Sequence, residues 1–324
     1  FKDYHFSNNS LTELSMSVAR HHHFLSQCYL KGFTSNGGKK SKLTVIDLKE
    51  RKTFESNTRN VGGVRDFNRL ELDGVDPNFL ESSLAEFEGS VATHLRKLEE
   101  NNDFSGETKD VILEFISLLA IRTPAQREHL SSPLKQIAKF IMKSSVSSAE
   151  RWEDCKLAYE KEKGESLPYD LAYEKIKDYV DRDNFEINVI REFMIGMEMQ
   201  CVPVIAELLH QRDWSLMTIP DGQGSFITSD NPVCLMWTNP ELAQGPYSPG
   251  FGLKDTLVLF PVSKNLLLAG EFDGHEGIFS CNEEQVAAFN TSVIRHTAER
   301  IFSSNGNFQF LDAAKRMKQG KSLV

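Results

Sequence analysis

Two hydrophobic rhythms alternate along the chain, and the places where one gives way to the other predict its organisation. Leu43-Thr44-Val45-Ile46-Asp47-Leu48 and Arg51-Lys52-Thr53-Phe54-Glu55-Ser56 are strand-like runs flanking the polar pair Lys49-Glu50, the pattern of a hairpin. Just upstream, Asn36-Gly37-Gly38 reads as a turn. From Asp76 the period lengthens: Leu80, Leu84, Phe87, Val91, Leu95 and Leu98 recur at spacings of three and four, which predicts an amphipathic helix of about five turns. Residues 107–121 are apolar around most of a helical circumference and belong in the middle of a bundle. Thr123-Pro124-Ala125-Gln126 has the form of a capping box with proline at the first helical position, so a helix restarts there. The charged segments 151–163 and 169–183 predict exposed helices, with connections at 144–148 and 164–168, and the apolar stretch 187–209 predicts a buried core helix.

Strand character then returns. Residues 214–219 and 225–229, around Pro220-Asp221-Gly222-Gln223-Gly224, read as a second hairpin, and 256–260 and 265–271 as two further strands around Pro261-Val262-Ser263-Lys264. A closing amphipathic helix over 283–302 carries Val286, Phe289, Asn290, Val293, Ile294, Thr297 and Ile301 on one side. Near the start, Phe24 and Cys28, with Leu25 and Tyr29, share a helical face that Gly32 terminates. The expectation is an α+β fold with a mainly antiparallel sheet formed from N- and C-terminal segments and packed on a central helical bundle. An N-terminal arm (1–20) precedes one domain (21–324), with its helical block at about 77–210 and strand-rich parts at about 40–70 and 213–272.

Composition narrows the classes. In 324 residues, 40% hydrophobic and 26% charged residues exclude disordered and fibrous chains. A net charge of -9 disfavours a broad, non-specific nucleic-acid surface, while leaving room for a phosphate-sized basic pocket, because much of the acidity falls in the exposed helices. Five dispersed cysteines without a C-x-x-C pair point to reduced thiols in a cytoplasmic protein, neither a disulfide scaffold nor a zinc site. The 187–209 stretch is broken by Arg191, Glu192, Glu198, Gln200 and Glu207, so no membrane span is expected. No signal pattern opens the chain, and whether Phe1 is its native start stays open.

Candidate chemistry is polar and scattered. His21-His22-His23 invites a metal, yet neighbouring side chains diverge and no H-x-x-x-H or H-E-x-x-H spacing occurs, so ordinary structural histidines are the competing reading. His23 and Gln27 lie four apart, which on a helix would present a base and an amide together; the bland reading is that both bond nearby backbone. Arg122 and His129 resemble the Arg-x4–6-His pair of HEPN ribonucleases, but Pro124 restarts the helix between them, and Arg122 serves equally as a helix cap with an acidic partner. Ser229-Asp230-Asn231-Pro232 is either a turn whose side chains satisfy backbone or, with Asp230 at a strand end, an anchor for a metal or a histidine. Gly222-Gln223-Gly224 lacks the lysine of a phosphate loop.

Several motifs fall in one order. The run from His22 to Phe33 resembles the opening signature of the bacterial domain-of-unknown-function family 4238. Asp66-Phe67, Glu81 and Glu88, Arg122-Thr123-Pro124 with Arg127, Phe226 to Pro232, Phe260-Pro261-Val262-Ser263 and Phe289-Asn290 continue the resemblance to about residue 303. Ser26 and Lys264 depart from it, each standing where the family has or often has proline. The resemblance implies that His23, Asp66, Glu88, Arg122, Arg127 and Asp230 meet in space, and a bacterial origin with a defence or toxin role. The leading expectation is a hydrolase, a metal-assisted nuclease or phosphodiesterase. In it His23 is base or metal ligand, Gln27 stands beside it, Asp230 and Glu88 hold Mg2+ or Mn2+ or orient the histidine, and Arg122 with Arg127 neutralises phosphate. RNA, DNA or a nucleotide would be the substrate, with a neighbouring gene's product as a protein partner and no membrane. The alternative is a ligand- or protein-binding sensor module in which the His/Arg/Asp set is a structural network.

Overall fold

A computed structural model describes residues 20–35, 41–164, 166, 172–183 and 185–324. The turn expected at 36–38 lies outside the described residues, as do most of the 164–168 connection and the start of the 169–183 segment.

The helices are α1 (Gln27–Lys31), α2 (Phe79–Asn101), α3 (Gly106–Ile121), α4 (Pro124–Ser145), α5 (Ala149–Lys163), α6 (Tyr173–Asp181), α7 (Arg191–His210), α8 (Pro240–Ala243) and α9 (Glu283–His296). The strands are β1 (His21–His23), β2 (Lys42–Asp47), β3 (Lys52–Asn57), β4 (Gly63–Arg65), β5 (Asp213–Thr218), β6 (Thr228–Ser229), β7 (Cys234–Trp237), β8 (Thr256–Pro261), β9 (Leu266–Glu271), β10 (Gly277–Ser280), β11 (Arg300–Ser303), β12 (Gln309–Leu311) and β13 (Met317–Gln319). This is an α+β fold, and its helical block follows the long-period hydrophobic pattern. On α2, Leu80, Leu84, Val91, Leu95 and Leu98 face inward, and Asn102 closes the helix in the left-handed conformation, its N–H donating to Leu98. α3 is buried around most of its girth and packs against both α2 and α7. α5 buries nothing, as its charged sequence requires.

Where one sheet was expected, the described strands form two larger ones. The first, β3-β2-β11-β6, joins residues from both ends of the chain and is antiparallel throughout. The second, β10-β5-β9-β8-β7, comes only from the C-terminal part, with β10 parallel to β5 and the rest antiparallel.

Four local expectations are corrected. The second hairpin does not form: β5 pairs with β9 and β10, whereas β6 pairs with β11 in the other sheet. Pattern identifies strands but not their partners. The closing helix stops at His296, and Ile301 and Phe302 lie in β11; two adjacent apolar residues are compatible with either rhythm. His21–His23 is a strand paired with β4, and the helix begins only after Ser26, whose hydroxyl accepts the Tyr29 N–H. Finally, α7 is buried on one face only: Met194, Ile195, Glu198, Ile205, Ala206 and Leu209 point inward, while Phe193 and Val204 are exposed. By length and composition α7 is apolar enough to cross a membrane, a test that core helices also pass.

The main core lies where α1, α2, α3 and the second sheet meet. Tyr29 stacks on Phe260 with ring centroids 5.1 Å apart and meets Phe115 edge-on. Its hydroxyl donates to the Pro261 carbonyl (2.8 Å) and accepts from Thr228 (2.7 Å), so the opening motif is tied to two C-terminal ones. A second core, under α9, joins the two sheets through Phe226, Leu259, Val286, Val293 and Ile301. There the buried Asn290 accepts the Ile227 N–H and donates to the Ser225 and Gln309 carbonyls.

Candidate functional site

β1 and the segment after β4 lay His22 and Asn68 side by side, and a polar cluster grows from that contact. The Asn68 backbone N–H donates to His22 Nδ1 (2.9 Å), and its side-chain amide donates to Glu81 on α2 (2.6 Å). The same amide oxygen accepts from Arg122 Nη1 (3.2 Å) at the C-terminal end of α3. Arg122 is 1% exposed and its Nε has no partner among the described residues. Burial lowers its pKa, opposed by the charges of Glu88, Glu81 and Glu198. One turn into α4, Arg127 makes a bidentate pair with Glu198 of α7 (2.6 and 2.7 Å), donates to the Phe67 carbonyl and lies over the Phe67 ring, 3.8 Å from its centroid. Glu198 is fully buried.

Glu81, Leu84 and Glu88 fall on one face of α2, which brings both carboxylates toward Arg122. Burial pushes the half-buried Glu88 carboxyl up to about 7, against the pull of Arg122 and with a further push from Glu81. With Glu88 protonated, the two guanidiniums (Arg122 and Arg127) balance the two carboxylates (Glu81 and Glu198). With Glu88 ionised the three carboxylates outnumber these two guanidiniums.

The expected site residues therefore divide. His23, Glu88, Arg122 and Arg127 share this neighbourhood, since Glu81 acts on the charge of His23 as well as on Glu88 and Arg122. His23 is half-buried with Nε2 at 3.1 Å from the Arg59 carbonyl, and burial lowers its pKa. Gln27 does not share a helical face with His23, because the strand ends before α1 begins. Asp66 sits at the edge of the cluster, paired with Arg20 at the surface. Arg122 and His129 do not form a pair of the ribonuclease kind: the first is buried, the second exposed.

Asp230 works elsewhere. Its two oxygens accept the N–H groups of Ala298, Glu299 and Arg300 at 3.0, 2.8 and 3.0 Å, which turns the chain from α9 into β11. Burial raises its pKa, and the three N–H donors pull the other way. It lines a cavity of about 320 Å3 together with Phe24, Gly63, Pro124 and Arg300. Its neighbour Asn231 links back to α4: the Asn231 side-chain oxygen accepts from Thr123 and Gln126, and its amide donates to the His296 carbonyl. Among the described residues no group of three or more His, Cys, Asp or Glu side chains is placed to hold a metal, His23 and Asp230 included.

Sequence reasoning missed Asn68, and it took His22 only as part of the histidine run and opening motif and Glu198 only as a break in an apolar stretch. Glu198 carried a usable signal, a carboxylate with no other charged residue between Phe193 and Ala206 of an apolar helix, which calls for a buried cation. The two departures from the family pattern each supply a bond. Ser26 caps α1, and the Lys264 N–H, which a proline would lack, donates to the Gly32 carbonyl at 3.0 Å.

An α+β scaffold whose motif residues interlock at a buried ionic node is the class that fold and site define. The chain belongs to the family described as Protein of unknown function (DUF4238), whose model matches residues 21–307. No curated protein and no solved structure gives a significant match.

Proposed function

We propose that this chain is a binding module in which the His/Arg/Asp set is a structural network holding a ligand- or protein-binding surface in place. One observation carries the reading: the charged residues that would serve phosphoryl chemistry are already taken up within the protein. Arg127 is committed to Glu198 and Phe67, Asp230 to three backbone N–H groups, and Arg122 is buried against Asn68 within the field of Glu88, Glu81 and Glu198. Buried arrangements of this kind are costly to break, because truncating one partner leaves an uncompensated charge.

A hydrolase, as a metal-assisted nuclease or phosphodiesterase in bacterial defence, is the second reading. It is favoured by Glu88, a half-buried carboxyl that exchanges its proton near neutral pH beside Arg122. Thermal melts and incubation with RNA, DNA and nucleotides plus Mg2+ or Mn2+ separate the two. The binding module predicts that Arg122→Ala lowers the melting temperature by several degrees and that the wild type leaves all substrates intact. Cleavage by the wild type that Glu88→Gln abolishes without lowering the melting temperature would overturn it.

A further inference from the structure

Asn231 also lines a depression of about 470 Å3 between the end of α3, the first two turns of α4, α7 and residues 248–251. Its walls are apolar, with Ile121, Ile205, Val233 and Phe251, and its polar groups are Gln126, His129, Asn231, Ser248 and His296. Among the described residues no Asp, Glu, Lys or Arg side chain lines it. A ligand there meets hydrogen-bonding groups and hydrocarbon, without a fixed charge to pair with.

Of these polar groups, His296 is already engaged, its two ring nitrogens lying 2.8 and 3.0 Å from the Ser292 and Leu235 carbonyls; the others retain capacity. The Asn231 oxygen accepts from Gln126 Nε2 and Thr123, and its amide donates one N–H to His296, which leaves the oxygen and second N–H of Gln126 and the second N–H of Asn231 without a partner among the described residues. No hydrogen bond within the described residues occupies the His129 ring or the Ser248 hydroxyl. An acceptor, a donor and an imidazole that can play either part thus face one apolar slot.

The far wall is held rigidly. Arg212, 2% exposed, donates to the Phe251 carbonyl (2.6 Å), to the Thr256 and Gly270 carbonyls (2.9 and 3.1 Å) and to the Thr256 hydroxyl (2.8 Å). No carboxylate pairs with it within the described residues. Burying an unpaired guanidinium is expensive, and what it secures is the position of the 251–256 segment. Phe251, one wall of the slot, is thus held in place through its carbonyl, as the positioning of a small-molecule site requires.

We propose that this slot binds the flat, uncharged ring of a nucleobase, presented as a free nucleoside. The apolar walls suit the ring faces, and a side-chain amide is the group that reads an adenine edge, offering a donor and an acceptor together. The absence of lining cations favours a nucleoside over its phosphate. This inference rests on the binding-module reading.

The test is saturation-transfer NMR and thermal shift on the full chain with adenosine, uridine and AMP, and with 1-methylindole as a flat ring lacking edge groups. Expected are saturation of the base protons, binding of adenosine no weaker than AMP, and an at least tenfold loss of adenosine affinity in both Gln126→Leu and His129→Leu. His129 is exposed, so His129→Leu should fold like the wild type, which keeps the result readable if Gln126→Leu does not. Absence of nucleoside binding at millimolar concentration, equal affinity in His129→Leu, or equal binding of 1-methylindole would each overturn the proposal. If nucleosides fail to bind while Arg122→Ala still destabilises an inert protein, only this inference falls; if the wild type cleaves RNA, the binding-module reading falls with it.

Discussion

Asp230 shows how one side chain can direct the course of the chain. Its carboxylate collects three consecutive N–H groups from residues 298–300, so the backbone leaves the helical path at His296 and enters β11. Asn in its place keeps one acceptor and turns an amide toward the remaining N–H groups. Asp230→Asn should therefore cost about 3 kcal/mol in a urea denaturation series, by the worth of hydrogen bonds to a charged acceptor. Glu88 carries a different prediction. Between its ordinary value near 4.5 and about 7, the folded chain keeps a proton that the unfolded chain has released. The stability contributed by the neutral carboxyl is thus fully present below the lower value and is lost as the pH rises through the upper one. Glu88→Gln stays neutral throughout, so its stability relative to wild type should increase from about pH 5 to about pH 8, by roughly 2 kcal/mol. Parallel pH profiles for the two proteins would refute this. At this scale the sequence identified Asp230, Glu88, Arg122 and Arg127 as polar positions of interest. It did not show what they bind, because Asp230 reaches residues nearly seventy positions away and Arg122 reaches Asn68 across 54.

Element ends are decided by short-range chemistry, and there the sequence was most legible. Thr123 caps α4 by accepting the Gln126 N–H at 3.2 Å, with Pro124 at the first helical position. The reciprocal half of the expected capping box is absent: the Gln126 side chain donates to Asn231 instead. Thr123→Ala should cost about 1 kcal/mol for the cap, and a double-mutant cycle with Asn231→Ala should show coupling, because the two side chains are bonded. Additive losses would separate cap from node. Gly32 makes a second case. It ends α1 in an ordinary helical conformation, and a methyl group there would meet the Ser263 Cβ at 2.9 Å and the Val262 carbonyl at 3.1 Å. Gly32→Ala should consequently lower the melting temperature by pushing α1 off the β8–β9 turn, although α1 itself would favour alanine.

At the scale of the whole molecule, the first sheet is a splice. β11 lies between β2 and β6, so within the sheet residues near 45 and near 228 are joined through residues 300–303. Deleting residues 300–324 should expose the β2 and β6 edges, empty the second core of Ile301 and Phe310, and abolish a single cooperative melt followed by circular dichroism. A sharp transition in the truncated chain would contradict that.

By itself the sequence determined the α+β class, the helical block between two strand-rich parts, the hairpin of β2 and β3, the cap of α4 and the exposed character of α5. Each follows from contacts within a few residues or from a hydrophobic period, and both are written locally. Only the tertiary structure decided that there are two larger sheets, that β5 and β6 part company, that α9 ends at His296, and that Arg122, Asn68, Glu81, Glu88 and Glu198 share one node. Strand partners and buried charge pairs are chosen by burial and by the cost of leaving a polar group unpaired, quantities that exist only once distant segments have met.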